Sequence, residues 1–176
     1  MPAPLLRPPP PPAGPVELRP VDRSHRAVLE NLGQLYRHDL SEAYRHLPNA
    51  DGTFNNRRLD QFLAGANPEH RAWLIMVDGA LGGFVMTAPA ADGGTSVSDF
   101  FIVRALRRTG VGRDAARQVI AMTPGRWAIG FQSYNQGVQS FWSQVADEVA
   151  GPGNWTVHDD PPVAGRPPDS WIVFRT

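Results

Sequence analysis

The 176-residue chain contains no cysteine and no lysine, so all 17 of its basic residues are arginine. Without cysteine there can be no disulfide, no thiolate zinc site and no thiol nucleophile. Without lysine there is no Schiff-base former, no lysine base and no phosphate-loop lysine. No segment reaches the roughly 18 uninterrupted apolar residues that a membrane span requires, and the N-terminus lacks the charged-then-apolar order of a secretory signal. A cytoplasmic location with no membrane partner is therefore expected. Seventeen acidic residues bring the formal net charge to zero, which removes the general electrostatic support for a nucleic-acid partner.

Glycine and proline are abundant, at 17 and 18 residues. Pro2, Pro4, the run Pro8 to Pro12, and Pro15 crowd the N-terminus, where fixed φ angles and missing amide donors favour an extended chain. Residues 1–15 are expected to form a disordered leader. Residues 16–176 have the length of one domain, by the rule of roughly 100–200 residues each.

Val16 to Val21 alternates like a strand, and Pro20 assigns it to a sheet edge. Ser24 is the expected N-cap of a helix whose apolar stripe is Val28, Leu29, Leu32, Leu35 and Tyr36. The following segment, Tyr36 to Tyr44, is too polar for core. A short helix is expected around Arg57 to Ala64, stopping at Gly65. Strands Arg71 to Asp78 and Leu81 to Ala88 flank Asp78-Gly79, a hairpin signal, and Ser96 to Arg104 completes a meander. Helices at Val111 to Met122 and Gln136 to Val149 bracket a buried strand, Arg126 to Ser133. Asn154 to His158 and Ser170 to Arg175 are the last two strands. This order predicts an α/β (α+β) protein with a mixed, mostly antiparallel sheet of about seven strands and flanking helices.

The chemistry concentrates between Asp99 and Arg113, where a strand enters an arginine-rich turn with two glycines that opens onto a helix. Glycines let a ligand approach the backbone, the first helical amides have no partner, and the helix dipole favours negative charge. Between Arg104 and Arg117 stand five arginines (104, 107, 108, 113, 117) against the single acid Asp114. A pyrophosphate or ribose phosphate suits such a turn.

Arg107-Arg108-Thr109-Gly110-Val111-Gly112 resembles the (Gln/Arg)-x-x-Gly-x-(Gly/Ala) motif of the GCN5-related N-acetyltransferases, the GNAT superfamily. The preceding Asp-Phe-Phe-Ile-Val strand, the downstream Asn135…Phe141-Trp142 segment and the order of elements are similar to the family as well. The resemblance implies acetyl-CoA as co-substrate, no metal, and transfer of an acetyl group to a primary amine of a small molecule or peptide. It implies a splayed parallel pair, Ser96 to Arg104 beside Arg126 to Ser133, with the cofactor threaded between them. Arg107, Arg108, Thr109, Gly110, Val111, Gly112 and Arg113 would hold pyrophosphate, and exposed amides around Ile102 and Val103 would pair with pantetheine. Gly130 either lets the cofactor approach or relieves core crowding. Asn135 either bonds pantetheine or caps the next helix.

Asp99 is the candidate base or amine positioner. By simple alternation it shares a face with Val97, Phe101 and Val103, where an unpaired carboxylate is costly; an ion pair with an arginine is the alternative role. Family members commonly place a proton-donating Tyr where this chain has Trp142, whose indole N–H is no practical acid. Tyr134 is the substitute candidate. Tyr36, Asp39 and Glu42, with His38 and Tyr44, form a polar patch where the family builds its acceptor site, and carboxylates beside aromatics suit a cationic amine. His158-Asp159-Asp160 is read as a strand end and not as a metal site. The other readings are a non-catalytic acyl-CoA-binding or regulatory module, transfer of a longer acyl group, and an aminoacyl-tRNA acceptor. A homodimer is compatible with all of them.

Overall fold

The computed structural model describes residues 10–56, 58–63, 67–160 and 169–176. The first nine residues of the expected leader, residue 57, residues 64–66 and residues 161–168 lie outside the described residues, while Pro10 to Pro15 are exposed and carry no regular structure. Strand β1 is Val16–Pro20, helix α1 is Arg26–Tyr44, and β2, β3 and β4 are Arg71–Val77, Ala80–Pro89 and Thr95–Ile102. Helix α2, Val111–Ala121, precedes β5, Arg126–Gln132. Helix α3, Gln136–Ala150, precedes β6, Trp155–Asp159, and β7, Asp169–Arg175. The strands make one sheet in the order β1-β2-β3-β4-β5-β7-β6. Every pairing is antiparallel except β4 with β5.

Both faces of the sheet are covered, which is why β2 is almost continuously apolar. Trp73, Ile75 and Val77 of β2 pack with Trp127, Ile129 and Phe131 of β5 beneath α2 and α3. Ala72, Leu74 and Met76 point the other way and join Phe84, Met86, Leu29 and Leu32 beneath α1. Strand β1 lies at an edge, as Pro20 predicts. Asp78 and Gly79 turn the β2–β3 hairpin with φ of 49° and 74°, the pair of positive values that a two-residue turn of right-handed twist needs.

Two local expectations are corrected. Ser24 does not cap α1. Asp22 caps a short 3-10 turn, Arg23–His25, that leads into α1: its carboxylate accepts from the Ser24 amide at 2.8 Å and from the Ser24 hydroxyl at 2.5 Å. Two candidate caps stand two residues apart, and the ionised one takes both donors. The Tyr36–Tyr44 segment, expected to follow the first helix, is instead part of it. It holds no Gly or Pro, so α1 runs on through it, 19 residues in all, until Arg45 turns left-handed at φ 55°. Tyr36 thereby packs on Phe84 and Phe101, with ring centroids at 5.7 and 6.0 Å, while Leu35 from the expected stripe is exposed. Among the described residues, no helix is long and apolar enough to cross a membrane.

Candidate active site

Strands β4 and β5 pair only over Thr95–Val97 and Trp127–Ile129. Beyond that point both strands continue without bonding to each other, and the gap is the splay that the family resemblance implied. Two clefts of about 1010 Å³ each open on it. One runs over the α2 turn and α3. The other lies among α1, the segment after it and the end of β3. They share Tyr36, Val97, Asp99 and Gly130 in their walls, so Asp99 stands where the clefts meet.

A bulge in β4 puts it there. Met86 pairs with Asp99 but Thr87 pairs with Val97, leaving Ser98 without an opposite number. The extra residue inverts the alternation, which corrects the expected grouping of Asp99 with Val97. Val97, Phe100 and Ile102 face the α2–α3 core, whereas Phe101 belongs to the α1 core, and Asp99, two residues before it, lies on that side. The Val103 amide, expected to be exposed, is donated to Gly82 O at 2.9 Å. Because bonding alternates along an antiparallel strand, the peptide groups of Phe100 and Ile102 are the ones turned away from β3 into the gap. Ile102 O already accepts from Arg107 Nε at 2.9 Å.

Asp99 is 7% exposed. Burial pushes its carboxyl above the usual range, against the opposing pull of Arg37, Arg58 and a hydrogen bond from Tyr36. The Arg37 guanidinium stands 3.6 Å from Asp99 Oδ1, an ion pair too long for a full hydrogen bond. The Tyr36 hydroxyl donates to Asp99, and burial followed by that negative charge moves its own ionisation well upward. Neither Arg37 nor Arg58 was singled out from sequence. The available signal was the need of a buried carboxylate for a counter-ion.

The turn before α2 has the geometry of an anion site. Gly110 takes φ 95° at the N-cap, a left-handed value that a side chain resists, and no side chain among the described residues caps the helix. Asp114 N donates to Gly110 O at 3.0 Å and starts the helical pattern, so the amides of Val111 to Arg113 have no intrahelical acceptor. Gly110, Gly112, Arg107, Arg108 and Arg113 line the first cleft; Val103, Thr109 and Val111 do not. Thr109 instead bonds Leu106 O at 2.7 Å, and Val111 is core.

Asp39 has partners other than those its sequence context suggested. Its carboxylate binds Arg104 Nη2 at 2.6 Å and Arg107 Nη2 through its second oxygen. Burial raises its pKa, but the two arginine hydrogen bonds prevail and hold it below the ordinary value. Glu148 similarly faces Arg113 and Arg117 at 3.4 and 3.5 Å. Arg108 alone of the five turn arginines has no carboxylate partner among the described residues. Glu42 is exposed on the rim of the first cleft.

Asn135 caps α3, accepting from the Val138 amide at 3.2 Å. Gly130 relieves crowding: a Cβ there would sit 3.1 Å from the indole of Trp171 on the neighbouring strand. Trp142 is buried against Phe100 and Phe141, at centroid distances of 5.3 and 4.9 Å. Tyr134 is half-exposed on the first cleft, and burial together with Tyr44 and Asp169 raises its pKa. Among the described residues, no group of three or more His, Asp and Glu side chains could hold a metal.

No family model matches the chain, and no curated protein sequence does. Solved structures do match. An acetyltransferase from Thermus thermophilus superimposes with a TM-score of 0.67 at 18% identity, over 92% of this chain and 97% of its own. The aminoglycoside N(6')acetyltransferase of Legionella pneumophila gives 0.64 at 14%, over 93% of each chain. The GNAT domain of S. lividans PAT gives 0.63 at 15%, over 92% and 90%. The chain has the GNAT fold. In this chain with the GNAT fold the splay, the β4 bulge and the glycine turn before α2 fall together around one pair of clefts.

Proposed function

We propose that the chain is a single-domain acetyl-CoA-dependent N-acetyltransferase, spanning residues 16–176. It moves an acetyl group to a primary amine of a small molecule or peptide by direct attack within a ternary complex. The observation that carries this reading is the meeting of two separate clefts at a buried carboxylate, beneath an uncapped glycine turn. One cleft suits the cofactor and the other the acceptor. Structural neighbours that carry named activities point the same way: one acetylates aminoglycosides, another spermidine and a third a ribosomal protein.

The residues fit acetyl-CoA. The free amides of the α2 turn and the unpaired Arg108 would hold pyrophosphate, and the gap-facing peptide groups of Phe100 and Ile102 would pair with the pantetheine amides. When bound, the cofactor supplies an activated acyl thioester. Asp99 takes the proton of the incoming ammonium and so frees its lone pair, and its raised pKa brings it nearer the working pH of a base. Tyr36 and Arg37 fix the carboxylate's position. Tyr134, kept protonated at neutral pH, is the hydroxyl that can return a proton to the thiol side. With no cysteine in the chain, direct attack is the route proposed.

The test is isothermal calorimetry with CoA followed by thiol release from acetyl-CoA over a panel of primary amines. Binding with turnover of at least one amine supports the proposal. Binding with no turnover across the panel favours the non-catalytic module, whose argument is Trp142 buried where the family commonly has its tyrosine. No CoA binding sinks both.

A further inference from the structure

The second cleft differs in charge from the one expected for a cationic acceptor. Its wall carries two guanidinium groups, Arg37 and Arg58, and the acids there are Asp99 and Asp169. Asp39 and Glu42, the carboxylates that a cationic amine would seek, line the other cleft, and Asp39 is held by two arginines. Asp99 is matched by Arg37, and Asp169 is buried with contacts of its own. Arg58 is exposed, has no carboxylate partner among the described residues, and still bears electrostatically on Asp99. Arg37 also keeps a buried Nε–H with no acceptor among the described residues. A polycation entering this cleft meets two like charges close to the base. An amine that carries its own carboxylate meets the reverse: its ammonium faces Asp99 and its carboxylate faces a free guanidinium a short way off.

We infer that the acceptor is an aminocarboxylate, a primary amine carrying a carboxylate group that Arg58, assisted by Arg37, binds while the amine lies at Asp99. This rests on the acetyltransferase reading and narrows its substrate class. Guanidinium is well suited to the role because its planar fork matches a carboxylate with two parallel hydrogen bonds. Arg58 is then a specificity residue that does not touch the reacting atoms, and its charge reaches the chemistry only through Asp99. A single carboxylate is the occupant proposed, because Arg37 is already shared with Asp99 and leaves little more than one cation to satisfy.

The experiment measures binding without turnover. The full chain is titrated by calorimetry, in the presence and absence of CoA, with two matched pairs: L-phenylalanine against phenethylamine, and 4-aminobutanoate against butylamine. The expected result is a preference for the carboxylate member of at least one pair of about tenfold, the size of one charge-assisted hydrogen bond. Arg58→Gln should bring that preference to within about twofold, and Arg58→Lys should restore part of it, because a point charge replaces the fork. Equal affinity within both pairs, no binding of any of the four compounds, or a preference that survives Arg58→Gln would overturn the inference. A protein that selects the carboxylate yet never releases thiol refutes the acetyltransferase reading and leaves the anion site standing. Turnover of plain amines with no carboxylate preference does the opposite.

Discussion

Replacing Asp99 with asparagine should stabilise the protein and disable it at once. The side chain is buried, its ion pair with Arg37 is 3.6 Å long, and burial outweighs that pair, so the folded state favours the protonated acid more than the unfolded chain does. A pKa raised by folding contributes stability that is fully present below the unfolded value of about 3.9 and lost as pH rises through the folded value. At neutral pH the ionised Asp99 therefore weakens the fold, by about 1.4 kcal/mol for each unit that its pKa is raised. Asparagine keeps an acceptor for the Tyr36 hydroxyl and removes the charge. In a chain of this size a gain of 1 kcal/mol is about 2–4 °C in Tm, so a rise of that order is expected at pH 7. The gain should shrink as pH falls and vanish below about pH 4. Turnover should fall by roughly 100-fold or more, the usual contribution of a general base. Scanning calorimetry from pH 4 to 8 and thiol release on the same variant provide both measurements. A Tm that drops at pH 7, or a gain independent of pH, would refute the claim that burial prevails over Arg37. Undiminished turnover would remove Asp99 from the chemistry.

Three further outcomes follow from the first cleft. Gly110→Ala has open space for its Cβ but must hold φ 95°, so it should cost about 1–2 kcal/mol in backbone strain and lower CoA affinity about tenfold, read by thermal unfolding and calorimetry; unchanged affinity would argue against pyrophosphate at this turn. Asp39→Asn frees Arg104 and Arg107, so CoA should bind about threefold more tightly at low salt, the worth of one charge several ångströms away through water, and the gain should fade at high salt. The depressed pKa of Asp39 supplies stability above its unfolded value that is lost as pH falls through its folded value, so the Asn variant should lack that part of the acid unfolding limb. Tyr134→Phe should lower kcat with little change in CoA affinity and alter the alkaline limb of the pH–rate profile; an unaltered profile would return the role of acid to solvent or to another hydroxyl.

Much of the architecture was legible because local chemistry specifies it. Pro20 marks an edge strand, Asp78-Gly79 marks a hairpin, and Gly110 marks the left-handed entry to α2. What escaped was decided at long range or by competition. The partners of Asp39 lie 65 and 68 residues away, so nothing in the helical spacing around it could announce them. Asp22 and Ser24 are both good caps, and ionisation, which spacing does not encode, separates them. The bulge at Ser98 lies within Ser-Val-Ser-Asp, with no glycine to flag it, and simple alternation then assigned Asp99 to the wrong neighbours.

That bulge is a change of parity. Everything in β4 after Ser98 is displaced by one residue relative to an unbroken strand, so side chains and peptide groups exchange sides together. In an unbulged β4, Asp99 would point into the α2–α3 core among Trp142 and Phe141, while the peptide groups of Phe100 and Ile102 would turn back on β3. One inserted residue, itself in the wall of both clefts, thus sets the orientation of both proposed sites, so a carboxyl turned to the proposed acceptor side and a backbone opened to the proposed cofactor side arrive together or not at all.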